Sequence, residues 1–114
     1  MSYHRGDVVI AADPFKDASS GRPFVIRSTD ETPFHGEQYI AVSLTTRTWH
    51  DNRIALTEAD WADGGAPESS SIMPWSLNSL KHEWIDAYQG RLRQGVVDRA
   101  ASALANSISG EHER

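Results

Sequence analysis

This sequence predicts a small, mainly β domain closed by one C-terminal helix, and three observations carry the prediction. Short apolar or alternating runs, Val8-Val9-Ile10-Ala11-Ala12, Phe24-Val25-Ile26 and Tyr39 to Thr46, each have a strand's length and are separated by segments rich in Gly, Pro, Asp and Ser. From Leu92 onward the period changes to helical, with Val96, Ala100, Leu104 and Ile108 recurring every four residues and Val97 and Ala101 flanking them. The chain has 114 residues and no cysteine, so it can build one core and must do so without disulfides. A single domain over residues 1–114 is expected.

Taken in order, the run Asp7 to Ala12 reads as a buried strand that Asp13-Pro14 breaks. Phe15 to Gly21 carries Asp17, Ser19 and Ser20 and reads as a loop delivering Arg22. Pro23 has no N–H to give a ladder and suits a strand's first position, and it pushes Arg22 toward extended backbone. Ser28 to Gly36 is loop chemistry again. In the strand Gln38 to Thr46, alternation puts Ile40, Val42 and Leu44 on a core face. It leaves Tyr39, Ala41, Ser43 and Thr45 on a small polar face, with Thr46 following Leu44 inward. A polar connection, Arg47 to Arg53, leads to a short strand at Ile54-Ala55-Leu56. Thr57 with Asp60 three residues on suggests a capping box opening one helical turn, ended by Gly64-Gly65. Ile72-Met73 and Trp75-Ser76-Leu77 read as a strand interrupted by Pro74 at an edge or bulge. The helix from Leu92 has no good N-cap in Arg93-Gln94-Gly95; Gly110 suits its C′ position, and residues 111–114 are expected to fray.

The segments Arg5-Gly6-Asp7-Val8-Val9, Gly21-Arg22-Pro23-Phe24-Val25-Ile26 and Ser43-Leu44-Thr45-Thr46, in that order and spacing, resemble the PemK/MazF family of toxin endoribonucleases. The similarity spans nearly the whole chain. Trp61, Gly64-Gly65-Ala66-Pro67 and Pro74-Trp75 resemble the branch found in salt-adapted archaea. The resemblance implies an SH3-like barrel and a homodimer. It implies a metal-independent, sequence-selective enzyme that cuts single-stranded RNA and leaves a 2′,3′-cyclic phosphate, with no cofactor. It further implies a cognate antitoxin as partner, DNA binding together with that antitoxin, and a cytoplasmic setting. The chain departs from the family twice: Ser19-Ser20 replaces a longer Gly-Ser-Glu-Gln-like run, and Trp75-Ser76-Leu77 stands where bacterial members carry Gln-Ile-Arg.

The bulk charge does not announce a nucleic-acid partner. The formal net charge is -5, against the basic footprint that phosphates usually require. Up to Arg53, however, six basic residues face seven acidic ones, so most of the negative excess lies in the second half. Nine arginines against two lysines, in an acidic chain, fit life at high salt, where stacking and hydrogen bonding would carry more of RNA binding. No segment approaches the roughly 20 apolar residues of a membrane span, and the first residues lack a signal peptide's apolar run, so a soluble, intracellular protein is expected.

Metal-free RNA cleavage drives the 2′-hydroxyl onto its own phosphate, which calls for a proton acceptor, a leaving-group donor and positive charge on the phosphoryl oxygens. Arg22 fits the last need, because its planar fork of donors matches phosphate and stays charged. Thr45 matches the family's second active-site position, where a hydroxyl donates to a phosphoryl oxygen. Ser20, Arg27, Thr46, Arg47, His50, Trp75 and Ser76 are the expected RNA contacts, and His50, beside Asp51, could also serve as a titratable base. The bland readings are a surface arginine, a β-favoured threonine and a solvated loop histidine. The five histidines have no metal-ligand spacing, so no metal site is expected. Four tryptophans are many for this length, and some should be core.

Two rivals remain. Gyrase-poison toxins share the barrel and act by binding a protein through a Trp-Gly-Ile ending, which Ser109 to Arg114 does not match. A non-catalytic β-barrel module binding RNA or protein is the other, and the altered loops speak for it.

Overall fold

The computed structural model describes residues 2–12 and 21–108. Over them run β1 Asp7–Ala12, β2 Gly21–Ile26, β3 Gln38–Thr45, β4 Ile54–Ala55, β5 Trp61–Gly64, β6 Ser71–Lys81 and β7 Ile85–Leu92, followed by α1 Gln94–Ile108. Among the described residues the seven strands form one antiparallel sheet in the order β4-β6-β3-β2-β1-β7-β5, curled into a half-barrel. The mainly β architecture with one C-terminal helix is the one the sequence predicts. Asp13-Pro14, the loop with Ser20, the Gly110 cap and the tail 111–114 lie outside the described residues.

The sheet buries both of its faces, and strand alternation sorts the apolar residues between two cores. Val8, Val25, Val42, Leu44, Ile72 and Leu92 form one core, and Val96, Val97 and Ala100 of α1 close it. Val9, Ala11, Phe24, Ile26, Tyr39, Ala41 and Leu80 form the other. The polar face expected on β3 is therefore corrected. Tyr39 and Ala41 are fully buried while Ile40 is 42% exposed, because the curled sheet covers the face that simple alternation assigned to water. The buried Tyr39 hydroxyl accepts the Tyr3 backbone N–H at 3.1 Å and meets His82 Nδ1 at 2.8 Å, so the phenol brings its polar end to partners. Thr46 is corrected as well: β3 ends at Thr45, and Thr46 is exposed rather than core-facing.

Pro74 marks the predicted bulge. Between Val42↔Leu77 and Leu44↔Ile72, β3 advances two residues (42 to 44) while β6 advances five (77 to 72). The extra residues arch outward around a buried Pro74. Ser43, opposite the arch, gathers it in: Ser76 Oγ lies 3.1 Å and Asn78 Nδ2 3.2 Å from Ser43 Oγ. Pro23 is the third residue of β2 rather than its first. It pairs with Ile10 of β1, and the β3 ladder begins only at Phe24, so the proline stands where β2 has one neighbour.

Thr57 and Asp60 make their turn, a 3₁₀ turn over Glu58–Asp60 in which Asp60 Oδ2 accepts the Thr57 N–H at 2.8 Å. Two strands are absent from the sequence reading. β5 follows that turn directly, and β7 ends in Leu92, which belongs to a strand and a core rather than to the helix. The helix begins two residues later, at Gln94. Arg93, just before it, is tied back to the 3₁₀ turn by its N–H on the Asp60 carbonyl at 2.8 Å and its Nε on the Ala59 carbonyl at 2.9 Å. No helix among the described residues is long and apolar enough to cross a membrane.

Candidate active site

β2 and β3 pair through Phe24↔Ser43. Beyond this last pair, Arg22 and Thr45 each lie two residues further along their strands, so alternation puts both on the face of Phe24 and Ser43, away from α1. Arg22 is exposed and Thr45 half-buried. The chain beyond Thr45 turns back at once, because the Arg47 backbone N–H donates to Thr45 Oγ1 at 3.1 Å. As an acceptor there, the hydroxyl keeps its own proton free for another partner.

These strand ends and the loop after β3 enclose a cleft of about 310 Å³. β2 contributes Arg22 and Pro23, and the end of β3 contributes Leu44 and Thr45. Thr46, Arg47 and His50 come from the loop, Ser70 and Met73 from the β6 side. Size does not single this cleft out, since hollows of about 470 and 490 Å³ lie elsewhere. Charge does. The first of those is lined by Glu37 and Glu83 beside Lys81 and His82, the second by Glu58 and Glu68. A fourth, of about 250 Å³, has no charged lining residue. Among the described residues the cleft at Arg22 has two guanidinium groups on its walls and no carboxylate, the balance a phosphodiester requires.

Beside the cleft runs a row of rings. The Arg47 guanidinium sits 4.9 Å over the Trp49 ring, Trp49 and His50 have centroids 5.9 Å apart, and the Trp75 ring meets His50 edge-on at 5.4 Å. Trp49 is 66% and Trp75 39% exposed, so both offer open ring surface. Exposed aromatic faces next to cations suit unpaired bases. The Arg47 to Arg53 loop is pinned from within, as the His50 carbonyl accepts the Arg53 N–H at 3.3 Å and Arg53 Nη1 at 3.0 Å.

Of the residues singled out in the sequence, the structure brings Arg22, Thr45, Thr46, Arg47 and His50 onto one cleft and places Trp75 next to His50. Ser76 is engaged in the bulge with Ser43. Arg27 stands apart. It follows the far end of β2, on the face covered by α1, where burial first and then Arg5 hold its guanidinium below the ordinary arginine range against the opposing pull of Asp98. Ser20 lies outside the described residues. Trp49 is the residue sequence reasoning missed. Its signal was present, because a tryptophan among Thr48, His50, Asp51 and Asn52 has no apolar neighbour in the chain to pack with. Among the described residues no three His, Asp or Glu side chains gather as cation ligands.

No protein-family model matches the chain, and no curated protein matches it in sequence. Solved structures match its fold. An endoribonuclease from a mycobacterial species, solved in complex with its cognate antitoxin, is 20% identical at a TM-score of 0.72, covering 94% of this chain and 93% of its own. MazE-MazF from Deinococcus radiodurans is 12% identical at 0.73, covering 96% and 97%. The Mycobacterium tuberculosis toxin MazF-mt6 is 16% identical at 0.66, covering 90% and 95%. At such identities the likeness is one of fold, and it extends along almost the full length of both chains.

Proposed function

We propose that this protein is the toxin of a type II toxin–antitoxin pair, an endoribonuclease that cleaves single-stranded RNA sequence-selectively and without a metal. The observation that carries the reading is the meeting of Arg22 and Thr45 on the walls of one cleft that has no carboxylate among the described residues, in a fold whose solved counterparts include named endoribonucleases. In this chemistry the 2′-oxygen attacks its own phosphorus, the P–O5′ bond breaks, and a 2′,3′-cyclic phosphate and a 5′-hydroxyl remain. Negative charge grows on the phosphoryl oxygens as the bonds exchange. The Arg22 fork receives it with two parallel donors, and the Thr45 hydroxyl adds a third.

The flanking bases would lie on Trp49 and Trp75, and Arg47 would hold a neighbouring phosphate. A cognate antitoxin is the natural partner on this reading, because two of the structural counterparts were solved with one. Two copies of the chain would give RNA a longer track than one cleft provides, so the active species is read as a homodimer in the cytoplasm.

The test is cleavage of a long single-stranded RNA by the purified protein in excess chelator, with the products' ends identified. Discrete cuts ending in a 2′,3′-cyclic phosphate, lost in Arg22→Ala and not recovered in Arg22→Lys, are expected, because an ammonium does not reproduce the bidentate fork. Equal cutting by Arg22→Ala, or activity that returns only with added metal, would overturn the assignment.

A further inference from the structure

The proposed reaction needs a group that takes the 2′-hydroxyl proton, and, resting on that reading, we infer that His50 is this group. Among the described residues that form the cleft walls, the other side chains are unsuited to the task. Arg22 and Arg47 carry guanidinium groups, which are donors with no acceptor for a proton. Thr45, Thr46 and Ser70 offer neutral hydroxyls, which are poor bases, and the other wall residues are apolar. The imidazole of His50 is the side chain on these walls with a ring nitrogen lone pair that can take a proton and give it back.

The surroundings of His50 suit a base more than a solvated loop histidine. Its ring is flanked by Trp49 at 5.9 Å and 52° and by Trp75 at 5.4 Å and 61°, and Arg53 holds its carbonyl. With its ring between two indoles and its backbone held by Arg53, the side chain is kept in a fixed direction, and a general base must come within about 3 Å of the proton it removes. Among the described residues the charges around it come from β2 and from its own loop. β2 presents Arg22; the loop itself carries Arg47, Asp51 and Arg53; β3 and β6 bring Leu44, Thr45, Met73 and Trp75, none of them charged. Asp51 is the acidic neighbour in sequence, and it does not line the cleft.

The step balances. The 2′-oxygen gives its proton to an unprotonated ring nitrogen of His50 and forms its bond to phosphorus while the P–O5′ bond breaks. The departing 5′-oxygen takes a proton from water. The hydroxide so made is neutralised by the imidazolium, and the ring returns to its starting state.

The experiment is a pH profile of kcat/KM for a short RNA containing one cleavage site, measured on the native protein, His50→Gln, His50→Ala and Asp51→Asn. In the native protein kcat/KM falls as pH is lowered and the base becomes protonated. His50→Gln loses that limb and, at neutral pH, about 10²–10⁴-fold in kcat with KM within a few-fold. Added imidazole restores part of the activity of His50→Ala, and Asp51→Asn keeps the native profile. An active native protein whose His50→Gln variant keeps the limb and the rate overturns the inference alone. So does a rise in KM at unchanged kcat, which makes His50 an RNA contact, or a loss in His50→Ala that imidazole does not rescue. A native protein that cuts no RNA overturns the ribonuclease reading and the inference with it.

Discussion

The hydroxyl of Thr45 accepts the backbone N–H of Arg47 at 3.1 Å, so the residue that ends β3 also fixes how the loop carrying Arg47, Trp49 and His50 begins. Thr45 therefore has two tasks, and substitution separates them. Thr45→Val keeps shape and β-propensity and removes one transition-state donor, which lowers kcat by about 10²–10³-fold. Stability falls by only about 0.5–1 kcal/mol, because the released Arg47 N–H is exposed and water replaces the oxygen. Thr45→Ser keeps both tasks and most of the activity. Thr46→Val, at an exposed position, stays within a few-fold of the native rate. Single-turnover cleavage together with urea unfolding checks all three, and an inactive Thr46→Val beside an active Thr45→Val would move the site by one residue.

Phosphate binding in the cleft leaves a signature in salt. Each phosphate contact on single-stranded nucleic acid contributes a slope of about −0.7 to log K against log salt. Arg47→Ala is expected to flatten the slope by about that amount, and to weaken binding alike for different RNA sequences. A slope unchanged from the native protein would remove Arg47 from the phosphate path and leave it as the cation over Trp49.

Trp49 and Trp75 are predicted to act on binding rather than on the chemical step. Base stacking is worth about 1–3 kcal/mol per base. Trp49→Ala should raise KM by about 5- to 150-fold with kcat nearly unchanged. Trp75→Ala should do the same and also lower kcat, because its ring edge helps to hold His50. Fluorescence quenching of the two exposed indoles by an uncleavable 2′-deoxy substrate reports the contact directly. If neither indole responds to bound RNA, the ring row is not the base platform.

What could be read from the chain follows from how strongly each segment's burial is patterned. β1 and β2 are apolar runs, and α1 shows its four-residue period because one face alone meets the core. β7, Ile85-Asp86-Ala87-Tyr88-Gln89-Gly90-Arg91-Leu92, hides from such a reading, since only Gly90 and Leu92 are buried and a glycine carries no apolar signal. β5 is four residues long and ends in glycine. Alternation misassigned Tyr39 and Ala41 because it assumes a core on one face, whereas the curled sheet builds a core on each. At the site, Arg22 and Thr45 were singled out by family resemblance, and the Phe24↔Ser43 register gives the physical reason they belong together. Trp49 joins them through tertiary placement, when the bulge around Pro74 sets Trp75 against His50.

The strands the sequence hid provide the last prediction, because β5 and β7 meet through two glycines. Gly64 pairs with Gly90, and a Cβ on Gly90 would come within 2.5 Å of the Asp63 carbonyl and 2.9 Å of the Trp61 ring. Gly64 combines a similar approach, 2.3 Å to the Gln89 carbonyl, with a left-handed φ of 64°. Gly90→Ala should therefore destabilise the protein by about 1–3 kcal/mol, the usual range for an overpacked interior. Gly64→Ala should lose a further 1–2 kcal/mol or so for its backbone conformation. Gly95, in the first turn of α1 with nothing within 4 Å of its Cβ direction, is the control of opposite sign. Gly95→Ala should stabilise by about 0.5 kcal/mol through the unfolded chain. Thermal unfolding of the three variants decides the matter. RNA cleavage by the folded fraction should be unchanged in each, since β5 sits at one edge of the sheet and the cleft at the ends of β2 and β3. A Gly90→Ala protein as stable as the native one would mean that β5 and β7 do not approach this closely, and Trp61 would then need another reason to lie over that strand.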